Sequence, residues 1–144
     1  MKRKKVLFVC TGNTCRSPMA EFIFRREIKK RKIKYVDAAS AGIFMQKGSA
    51  LSANSAACLD ELGIDHSKFK PRQLRHKMIE GSYLVVCMTS AQKDLLNGYD
   101  HVFSVKDIAG FDIPDPYGQD IAAYKRTANR IYAAVDAIIK KYFQ

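Results

Sequence analysis

A short apolar run, Val6-Leu7-Phe8-Val9, passes without a spacer into Cys10-Thr11-Gly12-Asn13, and the chain reaches Ser17-Pro18 a few positions later. A run this short, rich in β-branched and aromatic residues and stopped by a turn signal, reads as a buried strand. Serine followed by proline reads as a helix N-cap with proline at the first helical position. Strand, tight turn and helix start in immediate succession form the opening unit of an alternating α/β fold.

The alternation continues along the chain. Strands are expected at 5–9, 35–39, 83–88 and 101–105, and helices from 17 to about 32, at 52–62 closed by Gly63, at 72–80 and at 91–96. In the last segment Ile121, Tyr124, Ala128, Ile131, Val135, Ile138 and Tyr142 recur at steps of three and four, which draws one apolar stripe on a long helix. Strands separated by helices require right-handed crossovers, and therefore a parallel sheet covered on both faces. The expectation is one three-layer α/β domain over residues 1–144, with a four-stranded parallel sheet and helices on both faces. Ligands of such sheets bind beyond the carboxyl ends of the strands, and the first loop at that edge is Cys10 to Ser17.

Charge and cysteines narrow the function classes. No apolar stretch approaches the roughly 18 residues of a membrane span. The lysines and arginine at 2–5 precede an apolar run too short for a signal peptide, so a cytoplasmic protein with no membrane partner is expected. Cys58 and Cys87 sit among apolar neighbours and read as small core residues. No cysteine pair has zinc-site spacing and His66, His76 and His101 form no ligand motif, so neither metal nor cofactor is expected. The net charge of +11 comes largely from two stretches, 25–32 and 68–77. No nucleic-acid motif accompanies it, and it reads as attraction for an anionic substrate rather than for nucleic acid.

Cys10 to Ser17 has the parts of an anion cradle. A turn between a strand and a helix N-terminus can aim successive backbone N–H groups inward, reinforced by the positive end of the helix. Gly12 is expected to provide backbone freedom and Asn13 tolerates the left-handed region. The Arg16 guanidinium is a planar fork that matches two phosphate oxygens. A cysteine at the floor of such a cradle is favoured as the thiolate, the form that attacks phosphorus. The chemistry also needs an acid for the departing atom. Asp112-Ile113-Pro114-Asp115-Pro116-Tyr117-Gly118 supplies two candidates, between which residue chemistry alone does not choose.

The segment Val9-Cys10-Thr11-Gly12-Asn13-Thr14-Cys15-Arg16-Ser17-Pro18-Met19-Ala20-Glu21 resembles the signature of the low molecular weight protein-tyrosine phosphatases, and Asp115-Pro116-Tyr117-Gly118 resembles their acid loop. Ser40-Ala41-Gly42, Gly63-Ile64-Asp65 and Arg72-Gln73-Leu74 are similar to further landmarks of that family. The resemblance implies a phosphocysteine on Cys10, phosphate held by Arg16 with the loop Thr11, Gly12, Asn13, Thr14, Cys15 and Ser17, and Asp115 as acid and then base. It further implies that Ser17 hydrogen-bonds the thiolate, Asn13 holds the loop's shape, Ser40 supports it and Tyr117 walls the substrate cleft. Cys15 matches the neighbour that can form a protective disulfide with Cys10, and the implied partner is a phosphorylated protein.

Two positions depart from the pattern. The histidine that often braces the loop asparagine is Phe69 here, with His66 three residues too early, so what holds Asn13 is open. Thr14 stands where tyrosine-directed members tend to carry an aliphatic residue, and resembles a bacterial branch that dephosphorylates arginine. Phosphotyrosine is the main expectation and phosphoarginine the alternative. Arsenate reduction is more remote, because Met88 to Gly98 lacks the extra cysteines of that chemistry. A phosphate-binding module without turnover would need neither the thiol nor the acid.

Overall fold

The structure, a computed structural model, describes residues 2–144. Its elements in order are β1 (Lys4–Cys10), α1 (Arg16–Lys30), β2 (Val36–Gly42), α2 (Ala53–Glu61), α3 (His76–Glu80), β3 (Leu84–Cys87), α4 (Ser90–Asp94), β4 (Val102–Ser104), α5 (Val105–Ala109) and α6 (Ile121–Tyr142). The strands form one parallel sheet in the order β2-β1-β3-β4. The order reverses beside β1, so the loop leaving β1 opens at the switch point where this class of sheet binds ligands.

β1 is buried on both sides, and its alternating side chains feed two cores. Val6, Phe8 and Cys10 join the core under α1, α2, α5 and α6, where Phe8 meets Phe24 edge-on at 5.5 Å. Leu7 and Val9 join the smaller core with Ile79, Val85 and Val102 on the opposite face. A buried residue of this size contributes about 1.5–3 kcal/mol, so β1 is anchored twice and its C-terminal end is a fixed platform.

Several expectations shift by a few residues, each for a local reason. The N-cap of α1 is Cys15, and Ser17-Pro18 lies inside the first turn. Proline is tolerated there because the first N–H groups of a helix have no intrahelical acceptor. Tyr35 is not in β2; its φ of 63° is left-handed, and its carbonyl accepts from the Lys4 N–H. The expected helix at 72–80 is confined to α3, because Gln73 pairs with Gly42 beyond the end of β2, with Leu74 N–H donating to the Gly42 carbonyl at 2.8 Å. α5 was not expected; Ser104 and Asp107 cap it reciprocally. On α6 the stripe runs from Tyr124 to Ile138 with Thr127, Ala134 and Ile139 added, while Ile121 at its start is 38% exposed.

Candidate active site

The loop from Cys10 to Arg16 is held from outside by its own carbonyls. Cys10 O accepts from Ile43 N–H, Thr11 O from Phe44 N–H, Thr14 O from Ser52 N–H and Cys15 O from the Ser55 hydroxyl, at 2.8 to 3.4 Å. In a planar trans peptide the N–H opposes the carbonyl. Turning these carbonyls outward therefore turns the N–H groups of Thr11, Gly12, Cys15 and Arg16 toward the cleft. That is how the sequence builds an anion cradle: the neighbours of β2 and α2 take the acceptors and leave the donors free.

Inside the cradle, Cys10 Sγ lies 2.9 Å from Ser17 Oγ, and Asn13 Nδ2 donates to the same hydroxyl at 2.8 Å. Having accepted from Asn13, the Ser17 hydroxyl has its proton to give to the sulfur. Asn13 is fully buried with a φ of 58°, the left-handed geometry that asparagine tolerates. Its brace is the backbone of Arg72, whose N–H donates to Asn13 Oδ1 at 2.9 Å. Phe69, at the position expected of a histidine, instead packs edge-on against Phe22, and His66 pairs with Asp60. The segment that failed to become helix is thus the one that holds the loop.

Glycine is required one strand away from where it was expected. Gly12 keeps an ordinary φ, and an added Cβ there would meet only Thr14 Oγ1 at 3.8 Å. At Gly42, paired with Cys10 in the sheet, a Cβ would lie 2.8–2.9 Å from backbone atoms of Thr11, Gly12 and Asn13. Gln92 was also missed: buried in α4, it donates to Thr11 Oγ1 at 3.1 Å while closing a capping box with Thr89. The Thr89-to-Gln92 spacing after a strand was the available signal. Phe44 is 67% exposed beside the loop that its N–H anchors.

Arg16 is buried and donates to the Ile113 carbonyl at 3.0 Å, and its other terminal nitrogen is 3.8 Å from Asp115 Oδ2. Ile113 in turn donates its N–H to the Met88 carbonyl at the end of β3. The two candidate acids now separate. Asp112 Oδ1 accepts from the Ser90 N–H and hydroxyl, away from the cleft. Asp115 lines a cavity of about 170 Å³ together with Cys10, Thr14, Cys15, Arg16 and Tyr117. Its carboxylate is half exposed and oriented by the Tyr117 N–H at 3.1 Å.

The remaining predicted residues sit in a second ring. The Ser40 hydroxyl donates to the buried Glu21 at 2.7 Å, and its carbonyl accepts from the guanidinium of Arg72, the residue whose N–H braces Asn13, at 3.4 Å. Burial raises the Glu21 carboxyl above its ordinary value against the opposing pull of Ser40 and Arg25. Cys15 Sγ is 3.5 Å from the hydroxyl of Tyr124, a phenol that burial pushes up to about 12. Cys87 lies beneath the loop, its thiol likewise pushed up to about 12 by burial, which makes it a core residue. Among the described residues no cluster of His, Cys, Asp and Glu could hold a metal ion.

A cysteine and an arginine sharing one amide-lined cradle after the first strand of a parallel sheet, with a carboxylate at its mouth, define the cysteine-dependent phosphatases. Residues 5–142 match the model of the low molecular weight phosphotyrosine protein phosphatase family, and the chain belongs to it. Its relatives include a protein-arginine-phosphatase of Geobacillus stearothermophilus, 33% identical with 95% of each chain covered. They also include the low molecular weight protein-tyrosine-phosphatase PtpB of Staphylococcus epidermidis, 32% identical over 96% of this chain and 99% of that one. Among solved structures, the low molecular weight protein tyrosine phosphatase from T. tengcongensis superposes with a TM-score of 0.89 at 40% identity, covering 96% and 99% of the two chains.

Proposed function

We propose that residues 1–144 act as one protein phosphatase domain that hydrolyses phosphotyrosine-type monoesters through a phosphocysteine on Cys10. The observation that carries this is the Cys10 sulfur at 2.9 Å from the Ser17 hydroxyl on the floor of a cavity that Arg16 and Asp115 share. The Cys10 thiolate attacks phosphorus while the cradle amides and Arg16 bind the phosphoryl oxygens. The bond from phosphorus to the leaving oxygen breaks, and Asp115 delivers its proton to that oxygen. A water then attacks the phosphocysteine and gives its proton to the Asp115 carboxylate. The sulfur–phosphorus bond breaks, releasing inorganic phosphate and restoring the thiolate. Tyr117, 79% exposed at the cavity, offers a wall for the substrate ring. The four free cysteines support a reducing compartment, the cytoplasm.

Thr14 carries a second reading. Its hydroxyl lines the cavity, 3.8 Å from Cys15 Sγ, and can hydrogen-bond a polar guanidino group where a methyl surface would suit a phenol ring. The similarity to a protein-arginine-phosphatase supports phosphoarginine as the alternative substrate. Rates on phosphotyrosine and phosphoarginine, for wild type, Thr14→Ile and Cys10→Ser, test both readings. Cys10→Ser should lose turnover of both compounds, and Thr14→Ile should shift preference toward the aryl ester by roughly tenfold, the size of one lost side-chain hydrogen bond. Retained turnover in Cys10→Ser ends the first reading, and an unmoved preference ends the second.

A further inference from the structure

The net charge of +11 is not spread around the cleft. Parallel topology sends the strand C-termini to the catalytic edge and brings the start of β1, the ends of α1 and α6 and the α1–β2 connection together at the opposite edge. The cations there are at positions 2–4, 29–32, 34 and 140–141, ten in all, against the two carboxylates Glu27 and Asp136, an excess of eight. Both carboxylates are already bound, Glu27 by Arg26 and Arg31, Asp136 by Arg31 and Lys140. Helix dipoles favour lysines at the ends of α1 and α6. They do not account for positions 2–4, 32 and 34, which lie outside any helix. The length of β1, roughly 20 Å at about 3.3 Å per residue, separates this corner from Cys10. That exceeds the ~8 Å screening length at physiological salt, so the expected attraction of substrate toward the cleft does not come from these charges.

Against the expectation of no membrane partner, we infer that this corner docks the protein on an anionic membrane surface, with the catalytic cleft turned toward solvent. Lys2, Lys4, Lys34 and Lys141 line one depression of about 580 Å³ with Tyr35 and Phe143. Eight of the ten cations are lysines, compact charges that attract an anionic leaflet without the forked geometry that arginine brings to individual phosphates. Single-stranded nucleic acid would need a row of open ring faces for its bases, and here two of the three tyrosine rings are covered. Lys4 covers the Tyr83 ring at 4.7 Å and Lys141 the Tyr142 ring at 5.5 Å, while Phe143 packs against both tyrosines. Tyr35, 50% exposed, is an amphipathic ring of the kind that settles among lipid headgroups. Among the described residues no helix is long and apolar enough to cross a membrane, and the contact inferred is with the membrane surface.

Co-sedimentation of the full chain with phosphatidylcholine vesicles, with and without phosphatidylglycerol, tests the inference. Wild type should partition onto the anionic vesicles and be released by salt. Lys29→Gln/Lys30→Gln/Lys34→Gln/Lys141→Gln should weaken binding roughly tenfold or more, since each lysine near the surface counts separately. Lys68→Gln/Lys70→Gln/Arg75→Gln/Lys77→Gln, which removes the same charge elsewhere, should change it less than about twofold. Both variants should hydrolyse a small aryl phosphate as wild type does, which shows that they are folded. Equal partition onto neutral and anionic vesicles overturns the inference, as does equal loss in the two variants. So does tighter binding of wild type to a single-stranded oligonucleotide than to anionic vesicles at the same salt.

Discussion

The two loops that meet at Arg16 are built on opposite plans. Cys10 to Ser17 is pinned along its length: its carbonyls are held from beyond β2 and from α2, Asn13 is held by Arg72, and Gln92 reaches in from α4. The loop at 112–118 is pinned at its entrance, through Asp112 and Ile113, and then exposes Asp115 and Tyr117. The difference follows from what each handles. Phosphoryl oxygens have one geometry, and donors placed for it in advance lose nothing to reorganisation at the moment of reaction. The leaving group varies in size and must enter and depart, so the acid proposed for it sits on an open rim.

Four substitutions, two of them set against a control substitution, probe that contrast, taken from the largest expected effect downward. Asp115→Asn should lower kcat on an alkyl or aryl phosphate by about 10²–10⁴-fold, whereas Asp112→Asn should act mainly on stability by freeing Ser90, about 1–3 kcal/mol; steady-state rates and thermal melts separate them, and reversed effects would reassign the acid. Gly42→Ala drives a methyl into the backbone of the cradle. A displacement of about 1 Å at a reacting group costs roughly 10²-fold, so kcat should fall by that order, while Gly12→Ala should cost less; equal losses would remove the argument from crowding. Tyr117→Ala should raise KM on phosphotyrosine by a few fold, the worth of about 1 kcal/mol of ring contact, with kcat nearly unchanged. Glu21→Gln should do least.

The sign for Glu21 is fixed by its raised carboxyl. Between 4.5 and that raised value the folded protein holds a proton that the unfolded chain has lost. This contribution to stability is complete below 4.5 and fades as pH rises through the folded value, so Glu21→Gln should flatten the decline of the melting temperature across that window. At more acid pH the opposite sign applies to Asp107 and Asp136, held below 3.8 by Lys93 and by Lys140 and Arg31, and their contribution is lost as pH falls.

Most of the fold was legible because its signals are local. The apolar strands, the stripe of α6 and the turn at Cys10 each declare themselves within a few residues. The misses share a cause. Arg72 to Glu80 has helical spacing, but pairing with Gly42 across the fold claims its first part. The brace of Asn13 could not be read because it is a backbone N–H, which any residue at position 72 except proline supplies. The choice between Asp112 and Asp115 depends on which carboxylate Ser90 captures, a contact between residues 22 positions apart. Gly42 looked like a family landmark; only the Cys10–Gly42 register shows that its missing side chain makes room for the cradle.

Trapping the covalent intermediate tests the central claim most directly. Asp115→Asn, mixed with an activated aryl phosphate, quenched in acid and digested, should yield one phosphoryl group on the peptide bearing Cys10, with none in Asp115→Asn/Cys10→Ser. Label on any other side chain, or undiminished turnover with Cys10 replaced, would contradict a mechanism that passes through its sulfur.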